Sequence, residues 1–168
     1  MLAFLLAAVA FAASDVQLRT TDGQTLRAVS QVTPGAKRGV VMVHMEGGGA
    51  DDWNYLVDRV SRSGLTVVAP DLRGHGKNPK KTLTDADYQA MVGDVDAAAA
   101  WLRKQGVTEL SCVGASLGAN LCLQAAGKDP QLANVVLLSP GLNIKTVTAG
   151  VGKNCGVYDG RSPPRMRS

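Results

Sequence analysis

The chain has 168 residues, 45% of them apolar and 19% charged, which is the composition of a single globular domain and excludes wholesale disorder. No apolar run reaches 18 residues, so no stable membrane span is expected. The net charge of +4 is equally specific about what it excludes: residues 1–144 hold thirteen basic and thirteen acidic side chains, and the excess lies in residues 145–168, where Lys145, Lys153, Arg161, Arg165 and Arg167 face Asp159 alone.

Residues 1–13 are an unbroken apolar run that ends at Ser14-Asp15. This run is too short to span a bilayer and has the length of the apolar region of a secretory signal, with Ala10-Phe11-Ala12 as a small-x-small cleavage pattern. No Lys or Arg precedes it, and a buried N-terminal strand or helix is the alternative. The signal reading places the protein in the periplasm or outside the cell; without it the chain would be cytoplasmic. Export would permit disulfides. Cys112, Cys122 and Cys155 are three, so at least one lacks a partner within the chain, and Cys112 and Cys122 are expected as plain core residues.

Val16–Thr20 and Thr25–Val32 alternate apolar and polar residues around Thr21-Asp22-Gly23-Gln24, a hairpin pattern. Gly39–Met45 reads as a doubly buried strand. Trp53, Leu56, Val57 and Val60 recur at helical spacing before Gly64, and Leu65–Ala69 is a second buried strand. Thr84 with Asp87 forms a capping box for a helix whose stripe is Tyr88, Met91, Val92, Val95, Ala99 and Leu102, ending with Arg103, Lys104 and Gly106. A third strand follows at Thr108–Val113, a helix at Leu117–Gly127 and a fourth strand at Asn134–Leu138. After the hairpin the order is strand, helix, strand, helix, strand, helix, strand. Right-handed crossovers make this an α/β fold, a mostly parallel sheet with helices on both faces and ligand chemistry at the carboxyl ends of the strands.

Three loops at those ends carry chemistry. Gly114-Ala115-Ser116-Leu117-Gly118 joins the third buried strand directly to a helix. A serine on so tight a turn takes a strained backbone, and the residues two away on either side must be small to let the chain close; the helix start then aims N–H groups and its positive dipole at the reacting centre. His44-Met45-Glu46-Gly47-Gly48-Gly49 follows the first buried strand, and Asp71-Leu72-Arg73-Gly74-His75-Gly76 follows the second.

These three segments, in this order, resemble the α/β-hydrolase fold family over residues 16–144: a His-Gly-type oxyanion loop, D-x-R-G-x-G, and G-x-S-x-G. The resemblance implies a carboxylic-ester serine hydrolase with a small-molecule acyl substrate and no cofactor. Its nearest likeness is to short esterase, lysophospholipase and dienelactone-hydrolase-like members, the last of which usually carry Cys where this chain has Ser116. It implies Ser116 as nucleophile, Leu117 as first oxyanion donor and Glu46 as second, both through their backbone N–H groups, with Gly114 and Gly118 as the small residues of the elbow. Met45 stands where the usual loop has Gly. In the family the base follows the nucleophile, so His44 is expected to brace its loop, and His75 with Arg73 to pin the turn after its strand. No CxxC or Cys/His cluster supports a metal site, and the basic residues of the tail lack the aromatic partners and the stripe of a nucleic-acid binder. Oligomeric state leaves no signature.

No histidine follows Ser116, and the only carboxylates after it are Asp129 and Asp159. The resemblance implies two further strands with an acid and a base, while Gly150, Gly152, Gly156, Gly160, Pro163 and Pro164 punctuate a segment without periodicity. A naturally short, non-catalytic relative fits this, as does a reading frame broken after Gly150; the abruptness of the change favours the second. Translation of the gene in its two other frames beyond codon 150 is then expected to yield an apolar strand, an acid and a histidine. Neither frame doing so would remove that reading.

Overall fold

The computed structural model of the chain describes residues 12–149. Strands β1 (Ser14–Arg19) and β2 (Thr25–Gln31) form the expected antiparallel hairpin, turned at Gly23 with φ +86. There follow β3 (Arg38–Val43), a 3₁₀ turn at Ala50–Trp53 leading into α1 (Asn54–Ser61), β4 (Thr66–Pro70), α2 (Asp85–Ala90), α3 (Val92–Lys104), β5 (Glu109–Ala115), α4 (Leu117–Lys128) and β6 (Leu132–Leu138). One sheet holds β1-β2-β4-β3-β5-β6; β4, β3, β5 and β6 are mutually parallel, and the hairpin adds antiparallel to β4.

The period of two along the buried strands sorts side chains between two layers. Val41, Val43 and Val68 face α3 and α4, packing with Met91, Val95, Leu102, Leu117, Leu121 and Cys122. Val40, Met42, Val67 and Ala69 face the other way, onto Trp53 and Val57. Helices therefore cover both faces, as expected.

The helix expected from Thr84 onward is two. The capping box forms: Asp87 N–H donates to the Thr84 hydroxyl, and Thr84 N–H to the Asp87 carboxylate. At Met91 the backbone tightens, with Met91 N–H bonded to Tyr88 O and Asp94 N–H to Met91 O. Such three-residue bonds re-aim the axis, and the apolar stripe continues across the break.

The end of the described chain differs from expectation. A small hairpin, β7 (Asn143–Ile144) with β8 (Val147–Thr148), turns at Lys145 and Thr146, both at positive φ. Val147 is fully buried in the main core, Asn120 Nδ2 donates to its carbonyl at 2.8 Å, and Gln124 Nε2 donates to Thr148 O at 3.0 Å. The boundary expected between residues 144 and 145 thus falls inside a packed hairpin; a two-residue strand is too short to show as an apolar run. Residues 1–11 of the expected signal segment, and the tail from residue 150 with Cys155 and Asp159, lie outside the described residues. No helix among the described residues is long and apolar enough to cross a membrane.

Among the described residues β1 and β6 are the two edges of the sheet, and the Leu-Ala-Asn-Val-Val-Leu-Leu sequence of β6 carries no charge to guard its edge. Val136 and Leu138 are 51% and 44% exposed.

Candidate active site

Strand β5 runs into α4 through Ser116, which has φ +50 and ψ −112. A side chain pays for this backbone with steric strain, and such strain gathers at functional turns. Serine at a helix start ordinarily folds its hydroxyl back onto the first-turn N–H groups; Ser116 makes no such bond. Ala119 N–H donates to Ser116 O at 3.0 Å, while Leu117 N–H, two residues earlier, has no acceptor within the helix and lies at its positive end.

The glycines permit this turn by close approach. A methyl at Gly114 would stand 2.6 Å from Ala119 N and closer to Gly118 O; one at Gly118 would stand 2.7 Å from His44 O and closer to Val43 O. The start of α4 therefore lies directly against the end of β3. Gly118→Ala is expected to destabilise the protein by roughly 1–3 kcal/mol through overpacking, and to slow covalent modification of Ser116. Unfolding in urea, with probe labelling below the transition, checks both.

Cys112 and Cys122 form a disulfide, with 5.7 Å between their Cα atoms. The expectation that both are plain core cysteines is corrected here: they are buried, but bonded. Their pairing follows from the elbow. Counting back from Gly114 to Cys112 descends two strand residues, about 6.6 Å, and counting on from Gly118 to Cys122 climbs one helical turn, about 6 Å, so strand and helix stay level and the next facing pair meets. That spacing was legible in the sequence once the elbow was placed.

Register sets Val43 opposite Gly114 on neighbouring strands, so Glu46 stands with Ser116 and Leu117 at one end of the sheet. Tyr88 O–H donates to Glu46 Oε1 at 2.6 Å; burial, then the Glu46 carboxylate, raises the phenol to about 12 and keeps it a donor. Glu46 Oε2 is buried without a hydrogen bond, 3.9 Å from His75 Nε2. Met45, where the usual loop has Gly, is 52% exposed.

Both histidines are occupied. Leu72 N–H donates to His44 Nε2 at 3.0 Å, which leaves the proton on Nδ1, bonded to Met45 O at 2.7 Å. Burial lowers its pKa, in the same direction as an Nε2 that accepts a hydrogen bond. Nδ1 of His75 bonds to Arg73 O at 3.0 Å. Asp71 is fully buried, its oxygens held by Ala50 N–H, Lys77 N–H and the Arg27 guanidinium at 2.6, 3.0 and 3.1 Å. Arg73 binds Asp94 through its backbone and side chain and reaches Asp22 of the β1–β2 turn at 2.6 Å. Gly74, at φ +71, lets the chain turn away directly after it. The D-x-R-G-x-G segment thus ties β2, β4, α3 and the hairpin together beneath the loop that carries Glu46. Sequence reasoning missed Arg27, Tyr88 and Asp94. For Asp94 there was a signal: it is an acid within the apolar stripe, three residues after Met91.

Among the described residues, no histidine or carboxylate bonds to Ser116 Oγ. Asp129 is paired with Arg103 and stands just before β6, at the opposite end of the sheet from Ser116.

A sequence profile of the alpha/beta hydrolase fold matches residues 40–150. A thermostable monoacylglycerol lipase of Bacillus sp. (strain H-257) is 27% identical over 113 residues, which is 67% of this chain and 44% of the lipase. An esterase of Pyrococcus furiosus superposes with a TM-score of 0.66 at 24% identity, covering 77% of this chain and 52% of the esterase. An alpha/beta hydrolase of Novosphingobium aromaticivorans gives 0.64 at 22%, covering 78% and 45%. The chain therefore spans about half the length of the proteins it matches.

Proposed function

From the premise that this chain belongs to the alpha/beta hydrolase fold family, we propose that it is the part of an exported serine hydrolase that carries the nucleophile and the oxyanion hole, acting on carboxylic esters. The observation that carries the proposal is Ser116 itself, held at positive φ between β5 and α4 with its hydroxyl unused by the helix.

In this reading Ser116 Oγ attacks the acyl carbonyl carbon, and the carbonyl oxygen takes up the negative charge. The Leu117 and Glu46 N–H groups hold it; one such donor is worth about 3 kcal/mol of transition-state stabilisation. The serine proton passes to a base, the alcohol leaves with a proton, and water then cleaves the acyl-enzyme. His44 and His75 are tied into their loops and are the only histidines of residues 1–168, so we place the base outside these residues. The chain's likeness to a monoacylglycerol lipase and an esterase supports an acyl ester as the small-molecule substrate.

A second reading is a non-catalytic binding domain of the same fold, favoured by the lack of a base at Ser116 Oγ. A fluorophosphonate probe separates the two. Slow labelling that disappears in Ser116→Ala supports the hydrolase. No labelling of the wild type, even after long incubation with added imidazole, supports the binding domain.

A further inference from the structure

We propose that the Cys112–Cys122 disulfide is the clamp that keeps the Ser116 elbow in its reactive geometry, so that the site reacts at its full rate only while this bond is oxidised. The inference rests on reading Ser116 as the nucleophile, and it adds a redox condition to that reading.

Ser116 is the apex of a ladder whose rails are β5 and α4. The first rung is the contact between Gly114 and Gly118; the second is the disulfide. The first rung permits close approach but does not enforce it, because neither glycine has a side chain to interlock. Outside the ladder the apex has, among the described residues, one backbone hydrogen bond, Ser116 N–H to Leu138 O at 2.9 Å. Leu138 ends the edge strand, where its side chain is 44% exposed, so that anchor sits on the least supported strand of the parallel sheet. The backbone at Ser116 is strained and persists only where its surroundings hold it. The covalent rung is the one restraint that cannot slide.

Opening the clamp needs a dithiol reductant. Its thiolate attacks one cysteine sulfur, the S–S bond breaks, two electrons and two protons pass to Cys112 and Cys122, and the reductant leaves as its own disulfide. Both cysteines are fully buried, so the reagent reaches them only when α4 lifts from β5. Reduction is therefore slow in the folded protein. The bond acts as a lasting clamp suited to an oxidising compartment, where such bonds form and persist.

The test compares oxidised wild type, wild type reduced under mild urea and refolded, and Cys112→Ala/Cys122→Ala. Fluorophosphonate labelling is timed in imidazole, and amide hydrogen exchange is followed across residues 113–119. The expected result is labelling slower by about tenfold or more in both unclamped forms, with faster exchange confined to the elbow while a cooperative thermal transition remains. Exchange at 113–119 unchanged by reduction would overturn the clamp, as would equal labelling rates in clamped and unclamped protein. Faster exchange with no labelling in any form would support the clamp and count against the hydrolase reading. If the alanine variant does not fold, the chemically reduced wild type decides alone.

Discussion

Ser116→Ala is expected to abolish covalent trapping by an organophosphorus probe in this chain, yet to change its turnover of an activated ester by less than about tenfold. The two effects differ because nucleophile and base act as a unit: in a complete site, removing either costs about as much as removing both, roughly 10⁶ in kcat. No base is bonded to Ser116 Oγ among the described residues, and on the proposed reading most of that loss is already present. On that reading what remains is the contribution of the oxyanion donors and of binding, which the substitution leaves in place. Supplying the proton acceptor from solution should expose the difference. Imidazole is expected to accelerate p-nitrophenyl butyrate hydrolysis by the wild type well above the acceleration seen with Ser116→Ala. A loss near 10⁶ on substitution without imidazole would show that a base within residues 1–168 serves Ser116, and would refute its placement outside them.

Arg73→Ala, which leaves the fully buried Asp94 carboxylate without a counter-charge, is expected to destabilise the fold by about 3–5 kcal/mol, and Asp94→Ala, which leaves Arg73 only the half-exposed Asp22, by the lower end of that range. Arg73 and Asp94 are nearly or fully buried and share bonds of 2.6 and 3.0 Å. For a domain of this size that is a fall of roughly 10 °C in Tm. Replacing the pair together by apolar residues, Arg73→Met with Asp94→Leu, is expected to recover most of the loss. Failure of the double variant to recover would mean that the pair does more than neutralise itself. The outer partner adds a pH dependence. Arg73 first, then Thr20, lowers Asp22 to about 2 from an ordinary 3.8. The folded value lies below the unfolded one, so this bond stabilises at neutral pH and its contribution fades as pH falls from about 4 to about 2. Asp22 is half exposed, so the contribution is modest. Asp22→Asn should flatten the acid limb of the stability curve over that window and, above pH 5, lower stability by a small and constant amount.

Much of this architecture was legible in the sequence because its signals are local. The strands Gly39–Met45 and Leu65–Ala69 are apolar on both faces, and only a parallel sheet covered on both sides makes use of that. The Asp22-Gly23 turn, the Thr84–Asp87 box and the glycines around Ser116 each specify a backbone shape within a few residues. What escaped was what depends on distant partners. Arg27 reads as an ordinary strand residue until the fold brings Asp15, Asp51 and Asp71 around it. Tyr88 reads as helix stripe until its hydroxyl meets Glu46. The β7–β8 hairpin is too short for any periodicity, and Val147 is buried because α4 passes over it. The disulfide lay between, since two cysteines ten residues apart mean little until the elbow folds strand and helix back on each other.

Mapping the adduct by mass spectrometry after long exposure to a fluorophosphonate with imidazole tests the central claim most directly. The account predicts one phosphonyl group per chain, carried on the peptide that contains Ser116 and on that hydroxyl. An adduct on any other residue, or one that persists in Ser116→Ala, would contradict it.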